Sequence, residues 1–326
     1  MMKLVLLPLV IIIPVAAAIA ASISPSYHVV AGWPAYPTGV KSGDGSGIAV
    51  NHRGEVLALH RGNRPWAAAE LVTDPINGPV VMVFDAKSGR LLRQWGTGMF
   101  AMPHGISVDA GENVWITDVA LHQVYKFSPD GKLLLALGER GVPGNDKEHF
   151  NRPTDVLSMP DGSFYVADGY RNTRVVKFTA DGKFTFQWGA EGKGPGQLET
   201  PHSLALGSDG RIYVCDRNNS RVQIFDADGR FIAQFALPDL GRPFAIATLG
   251  PDRFAVAGNG LTPGKADTAA VDIIDGEGRV LSSFGSFGPN AGQFIGVHDI
   301  TVDDHGDLYV ADVKGQHFQK FAPERR

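Results

Sequence analysis

The chain has 326 residues, a length that allows one large domain or two of ordinary size. Apolar residues make up 44% of it and charged residues 20%, a balance that permits a sizeable core and excludes a globally disordered chain. A formal net charge of −4 without a long basic run argues against nucleic acid as a partner.

The first 22 residues differ in composition from all that follows. They run MMKLVLLPLVIIIPVAAAIAAS, with one early lysine, a long apolar run and small residues around Ala18-Ile19-Ala20. This order is typical of a secretory signal peptide, and an uncleaved N-terminal membrane anchor is the alternative. In either case we expect residues 27–326, a single domain, to be exported to the periplasm or secreted. With Cys215 as its one cysteine, this domain does not depend on intrachain disulfides.

From residue 46 onward the sequence contains six related units of about 50 residues each. Each unit has a short apolar stretch, a turn, a second strand, a polar loop, and two more strands joined by a second turn. The units begin with SGIAV (46), HGISV (104), TDVLS (154), HSLAL (202), FAIAT (244) and HDITV (298). Four strands per unit, with Asp-Gly turns in the clearest copies, predict an all-β fold, a six-bladed β-propeller.

The last unit ends after FQKF at residue 321 and lacks a fourth strand. The stretch YHVVAGWP at 27–34 resembles that missing strand. We therefore predict that the N-terminal segment completes the last blade, which closes the ring and leaves no open sheet edge.

Three histidines occupy one position in alternate units, at the start of the innermost strand. They are His104, His202 and His298, and the intervening units carry Ser46, Thr154 and Phe244 there. Alternate blades of a six-bladed ring are related by about 120°, and the innermost strands line the central channel. The three imidazoles should therefore converge on the axis, where three nitrogen ligands and one open position are typical of a catalytic zinc site. The other seven histidines show no such register, and we interpret them as surface or structural residues.

Around these histidines the sequence resembles a known family, the peptidyl-α-hydroxyglycine α-amidating lyases, which are propellers of NHL-type repeats. The resemblance covers roughly residues 40–320. It is carried by LHRGNRPW (59), MPHGISVDAGENVWITDVALHQVYKF (102), HFNRPTDV (149), VADGYRNTRVVKF (166), TPHSLAL (200), CDRNNSRVQIF (215) and VHDI (297). The family's reaction cleaves the N–Cα bond of a peptide that ends in α-hydroxyglycine, and it yields a peptide amide and glyoxylate.

At the matching positions the resemblance implies a role for nine residues. They are the zinc ligands His104, His202 and His298, the catalytic residues Arg61, Tyr170 and Arg217, and the calcium ligands Ile48, Ile106 and Asp299. Tyr170 would act as the base with Arg217 assisting it, and the calcium would be structural, held by two backbone carbonyls and one carboxylate. The implied substrate is a small peptidyl or N-acyl α-hydroxyglycine. We expect a monomer that contacts a membrane only if the N-terminal anchor is retained.

Two other functions stay open on the residues alone. A propeller without an active site could bind a peptide or another protein on one face. A calcium-dependent propeller lactonase or esterase would use acidic and amide ligands, and three histidines at one register disfavour it. We interpret the recurring Asp118, Asp168, Asp216 and Asp312 as turn caps.

Overall fold

The computed structural model describes residues 26–66, 71–260 and 267–324. The predicted signal peptide or anchor, residues 1–22, lies outside the described residues. Within those three ranges the chain forms one short 3₁₀ helix, Arg217–Asn219, and no helix long and apolar enough to cross a bilayer.

The rest of the described chain consists of strands, tight turns and loops. The strands are β1 (Tyr27–Val29), β2 (Gly45–Val50), β3 (Glu55–His60), β4 (Val81–Asp85), β5 (Leu91–Trp95), β6 (Pro103–Val108), β7 (Val114–Asp118), β8 (Gln123–Phe127), β9 (Leu133–Leu137), β10 (Asp155–Ser158), β11 (Phe164–Asp168), β12 (Arg174–Phe178), β13 (Phe184–Trp188), β14 (Pro201–Leu206), β15 (Ile212–Asp216), β16 (Arg221–Phe225), β17 (Phe231–Ala236), β18 (Arg242–Gly250), β19 (Arg253–Gly260), β20 (Thr268–Asp275), β21 (Val280–Phe284), β22 (Ser286–Phe287), β23 (Gln293–Phe294), β24 (Val297–Val302), β25 (Leu308–Asp312) and β26 (His317–Pro323).

These strands form six antiparallel sheets of four strands each, which are the blades of the propeller. Blades one to five are β2–β5, β6–β9, β10–β13, β14–β17 and β18–β21, and blade six has the order β1-β26-β25-β24. The two short strands β22 and β23 pair in parallel in the connection between blades five and six. The predicted all-β, six-bladed propeller is confirmed.

Burial falls from the middle of each blade to its outer strand. In blade two every residue of β7 is buried, whereas β9 alternates between exposed and half-buried positions. The middle strands are continuous apolar runs such as VWIT because neighbouring blades cover both of their faces. The core therefore lies between adjacent blades, and the innermost strands line the channel.

The N-terminal strand closes blade six, as the sequence predicts. Strand β1 pairs antiparallel with β26, with Tyr27 opposite Pro323 and Val29 opposite Phe321. The two ends of the described chain thus meet in one sheet, which joins the last blade to the segment that precedes the first.

Replacement of Trp33 tests this closure. The Trp33 side chain is 7% exposed, and its ring lies 6.0 Å from Phe84 of blade one and 5.0 Å from Tyr309 of blade six, between centroids. We expect Trp33→Ala to lower the free energy of unfolding by about 3–5 kcal/mol, because it leaves a cavity where the first and last blades meet. Urea unfolding followed by circular dichroism measures this change. The exposed control Val280→Ala should shift it by less than about 0.5 kcal/mol, and an equally small shift for Trp33→Ala would contradict the proposed role in closure.

Candidate metal centre

The three predicted histidines meet in the channel. His104, His202 and His298 lie near the starts of β6, β14 and β24, and they are 1%, 3% and 5% exposed. Their ring centroids are 4.7 to 4.9 Å apart, and the possible ligand atoms lie within 4.8 Å of one another. The register in the sequence therefore brings three imidazoles from alternate blades to one point.

Each imidazole is held by the backbone of the next blade. The Nδ1 atoms of His104, His202 and His298 lie 2.8, 2.7 and 2.7 Å from the carbonyl oxygens of Thr154, Phe244 and Ser46, respectively. A carbonyl oxygen only accepts hydrogen bonds, so Nδ1 carries the proton in each ring and Nε2 keeps its lone pair. Ser46, Thr154 and Phe244, which replace histidine in the intervening units, thus fix the tautomer of the three histidines through their backbone carbonyls.

The three rings are suited to a divalent metal ion. Burial lowers the pKa of each imidazole well below the ordinary histidine value, with smaller contributions from the neighbouring histidines and from Arg61 and Arg217, so the rings are neutral at pH 7. Three neutral nitrogen donors with free lone pairs fit zinc or another first-row ion. Within the described ranges, this is the one group of three or more His, Cys, Asp or Glu side chains placed to hold a metal.

Tyr170 and Arg217 lie against this group of histidines. The Tyr170 hydroxyl oxygen is 3.0 Å from Nε2 of His104 and 3.3 Å from Nε2 of His202. Arg217 donates from Nη1 to the same oxygen at 3.2 Å, and its guanidinium carbon lies 5.1 Å from the Tyr170 ring centroid and 4.9 Å from that of Phe244. One phenol oxygen therefore contacts two prospective metal ligands and a cation.

Arg61 approaches the same point from blade one. It follows β3 directly, donates from Nε to the Pro103 carbonyl at 3.1 Å, and lies 5.0 Å from the ring of Trp66, which is itself 5.3 Å from Tyr170. Arg61 is 2% exposed, and its Nη2 has no hydrogen-bond partner among the described residues. Burial lowers the pKa of this guanidinium, and an arginine still keeps its charge near neutral pH. A buried cation with a free donor beside Tyr170 fits an acceptor group of a substrate.

Counted from the position that the histidines occupy in their units, the predicted calcium ligand Asp299 lies one residue further along its inner strand, and Ile48 and Ile106 lie two residues further. Asp299 accepts hydrogen bonds from the backbone N–H groups of Ile48 at 2.8 Å and Ile300 at 2.9 Å. Ile48, Ile106 and Asp299 line one cavity of about 570 Å³, and Tyr170 is not among its lining residues. Asp299 also lines the small cavity bounded by His104, His202 and His298, so the predicted calcium and zinc ligands lie in adjacent layers of the channel.

A second carboxylate lines that cavity and was missed by the sequence analysis. Asp155 of blade three accepts from the N–H groups of Val156 and Leu204, both at 2.8 Å, and burial raises its pKa to about 6. Burial, followed by the charge of Asp155, raises the pKa of Asp299 well above the ordinary value. Two buried carboxylates in one cavity favour a bound cation. The repeats indicate this pair of carboxylates, because TDV at 154 and HDI at 298 place Asp155 and Asp299 at the same position of their units.

The recurring aspartates are structural, as interpreted from the sequence. Asp118 accepts hydrogen bonds from the backbone N–H groups of Ala101, Met102, Ala120 and Leu121. The others act in the same way or in ion pairs: Asp168 with Arg174, Asp216 with Arg221, and Asp312 with the N–H groups of Ile295 and Gly296. Asp168 and Asp216 end β11 and β15, shortly before Tyr170 and Arg217.

His60, which the sequence analysis grouped with the structural histidines, is a buried neutral donor. It is 4% exposed, and its Nδ1 accepts from the N–H groups of Gly62 at 3.0 Å and Gly43 at 3.4 Å. The ring proton therefore sits on Nε2, which is buried and has no partner in the described part of the chain.

Acid should destabilise the protein through His60. Burial lowers the His60 pKa to about 4, and in an unfolded chain a histidine pKa is about 6.5. The stability that neutral His60 contributes is therefore present above pH 6.5 and is lost as the pH falls to 4. His60→Asn, whose side-chain oxygen can still accept from Gly62, lacks this titration. We therefore compare the free energies of unfolding of the wild type and the variant. The difference, wild type minus variant, should fall by up to about 1.4 kcal/mol for each pH unit between pH 6.5 and pH 4. Urea titrations at pH 7, 6 and 5 measure it, and a constant difference would contradict the prediction.

Comparisons of the sequence with known proteins identify a repeat family and several relatives. The NHL repeat family matches residues 198–225. A peptidyl-alpha-hydroxyglycine alpha-amidating lyase 2 of Drosophila melanogaster is 33% identical over 297 residues, which cover 84% of this chain and 70% of that protein. A peptidyl-glycine alpha-amidating monooxygenase B of Xenopus laevis is 35% identical over 313 residues, which cover 90% of this chain and 35% of that protein. The chain spans about a third of the length of the amidating monooxygenases that it matches.

Among solved structures, a streptogramin B lyase aligns with a TM-score of 0.58 at 14% identity, over 93% of this chain and 99% of that one. At this identity the likeness concerns the propeller fold alone. The relationship to the Drosophila lyase is of another kind, because it combines higher identity with coverage of more than two thirds of that protein. The chain belongs to the family of peptidyl-α-hydroxyglycine α-amidating lyases.

Proposed function

We propose that this protein is a zinc-dependent lyase that cleaves the N–Cα bond of a peptidyl or N-acyl α-hydroxyglycine to give an amide and glyoxylate. The observation that carries the proposal is the position of the Tyr170 hydroxyl, which contacts Nε2 of His104 and of His202 and the guanidinium of Arg217. A base, a cation and three metal ligands at one point are the groups that this reaction needs. The names of the relatives indicate the same class of substrate.

The Nε2 atoms of His104, His202 and His298 would hold the zinc, since their Nδ1 atoms are engaged by backbone carbonyls. When bound, the ion supplies a Lewis acid that stabilises negative charge on oxygen at neutral pH. The donor set also argues against a calcium-dependent lactonase, which would use acidic and amide ligands at its active site.

Tyr170 would move the proton. As a phenolate, stabilised by the Arg217 guanidinium at 3.2 Å, it takes the proton of the substrate hydroxyl. The electron pair of that O–H bond forms the aldehyde C=O of glyoxylate while the C–N bond breaks. The departing nitrogen takes up a proton, which Tyr170 returns. The proton lost by the hydroxyl is gained by the amide nitrogen, so the reaction consumes no water and no oxidant.

Arg61 would assist the leaving group. As the C–N bond breaks, negative charge develops on the amide and spreads to its carbonyl oxygen. The Nη2 atom of Arg61, buried and without a partner among the described residues, is a donor available to that oxygen. A fixed donor at the site of developing charge lowers the barrier most when it lies in a buried environment.

Release of glyoxylate from N-benzoyl-α-hydroxyglycine by the purified protein, with and without a chelator, tests the proposal. We expect release that the chelator abolishes and added zinc restores. A folded, zinc-loaded protein that releases no glyoxylate would rule out the proposed reaction.

We also propose that calcium binds as a structural ion at Ile48, Ile106 and Asp299. The support is the pair of buried carboxylates, Asp155 and Asp299, in one cavity. Calcium added to metal-stripped, zinc-reloaded protein should raise its Tm, and Asp299→Asn should remove that rise. An equal rise in the variant would place the calcium elsewhere.

A further inference from the structure

A second cavity lies on the side of blade one and shares Arg61 with the candidate active site. Its volume is about 660 Å³, within the range of pockets that hold drug-sized ligands. We call it the blade-one pocket, and the lining residues used below are Lys41, His60, Arg61, Arg64, Ile76 and Met102. Glyoxylate, a two-carbon acid, would fill only a small part of it. The pocket is therefore sized for the larger part of a substrate, the part that leaves as the amide.

The pocket and the metal centre share Arg61. Its guanidinium carbon lies 5.0 Å from the ring of Trp66, which lies 5.3 Å from Tyr170. Met102, at the inner wall, is two residues before His104. A substrate whose hydroxyl lies at Tyr170 and whose amide carbonyl reaches Arg61 therefore extends into the blade-one pocket.

Two residues that line the pocket each have a buried donor without an acceptor among the described residues. Nε2 of His60 carries the ring proton, because Nδ1 accepts from Gly62, and Nη2 of the adjacent Arg61 is equally unpaired. A buried donor without an acceptor costs about 1–3 kcal/mol. A ligand that brings two acceptors, one for each donor, would remove that cost.

The charge of the pocket favours an anion. Its described lining includes Lys41, Arg61 and Arg64 and no aspartate or glutamate. Arg64 is fixed at the rim because its Nη1 donates to the carbonyls of Val72 at 3.2 Å and Asp74 at 2.7 Å. The remaining wall is largely apolar, with Val72, Ile76, Met82, Met102 and three prolines.

We propose that the blade-one pocket binds the acyl part of the substrate and selects acyl groups that end in a carboxylate. The inference rests on the proposed lyase function. The amide carbonyl accepts from Arg61, the acyl chain lies against the apolar wall, and the distal carboxylate accepts from His60 Nε2 near the ammonium of Lys41. His60 is thus a specificity residue, while Arg61 serves both the pocket and the reaction.

Three substrates of matched length test the selection: the N-glutaryl, N-pentanoyl and N-(5-aminopentanoyl) derivatives of α-hydroxyglycine. We expect kcat/KM to fall in that order, with about tenfold or more between the anionic and cationic acyl groups. Lys41→Met and His60→Asn should each lower kcat/KM about five- to tenfold for the glutaryl substrate and less than about twofold for the pentanoyl one. Lys132→Met, an exposed lysine outside the pocket, is the matched control and should leave the order intact.

Binding without chemistry separates this inference from the lyase proposal. N-Glutarylglycine and N-pentanoylglycine lack the hydroxyl and cannot be cleaved, so calorimetry measures their Kd directly. We expect about tenfold tighter binding of the glutaryl compound by the wild type and loss of that preference in Lys41→Met. Selective binding without glyoxylate release would support the pocket and overturn the lyase. Glyoxylate release with equal kcat/KM for all three substrates would overturn the pocket and leave the lyase standing.

Discussion

His202→Ala is expected to abolish both metal binding and lyase activity. The substitution removes one of three nitrogen donors, and no other His, Cys, Asp or Glu side chain of the described chain joins that group to replace it. The two remaining imidazoles, His104 and His298, would bind zinc too weakly to retain it through purification. We expect kcat/KM to fall by at least about 10³-fold, because outer residues that only orient metal ligands already affect activity by 10–100-fold. Metal content by mass spectrometry and glyoxylate release by the same preparation give the two readouts.

A histidine outside the metal centre provides the control for this variant. His305 lies on an exposed turn of blade six, and His305→Ala should keep stoichiometric zinc and full activity. Circular dichroism should show the same β structure in both variants. Full zinc and full activity in folded His202→Ala would refute the metal centre.

Tyr170→Phe is expected to lower kcat about 10²- to 10⁴-fold, the usual contribution of a general base, and to leave zinc bound. The change removes one oxygen, which contacts His104, His202 and Arg217. The ring keeps its contact with Trp66 at 5.3 Å between centroids. Substrate binding should therefore change little, so KM should stay within about threefold while kcat falls.

Tyr36→Phe is the matched control, because the Tyr36 hydroxyl bonds to Ser42 at 3.1 Å in the segment before β2, and neither residue belongs to the candidate site. It should behave as the wild type. Two results would contradict the role of Tyr170 as base: an unchanged kcat, or loss of zinc together with activity. The second would show that the phenol holds the metal in place rather than moving a proton.

The repeats of the sequence predict the fold and the convergence of the histidines because both depend on regular geometry. Strand register has a period of two residues, and the repeat length sets the position around the ring, so His104, His202 and His298 had to face one axis. The same register places Asp155 of blade three opposite Asp299 in the repeat, so this second carboxylate is predictable from the sequence as well.

Other parts of the site depend on features that no repeat specifies. The carbonyl groups of Ser46, Thr154 and Phe244 fix the imidazoles through backbone atoms, which every residue type possesses. The contact of Trp66 with Tyr170 depends on the loop that follows β3, outside the regular strands. The same loop leaves Nε2 of His60 as an unpaired donor, because its Gly62 donates to Nδ1. Loop conformation follows from tertiary contacts more than from local periodicity, so these contacts could be seen only in three dimensions.

The placement of the three histidines on alternate blades has a consequence for how the protein matures. Each ligand comes from a different third of the chain, and the last blade needs β1 to complete it. A chain synthesised only as far as blade five, or a fragment that lacks blade two, four or six, therefore contains at most two of the three nitrogens. Uptake of the metal ion would then mark the finished molecule, and cells could not load this site before the C-terminal blade has been made.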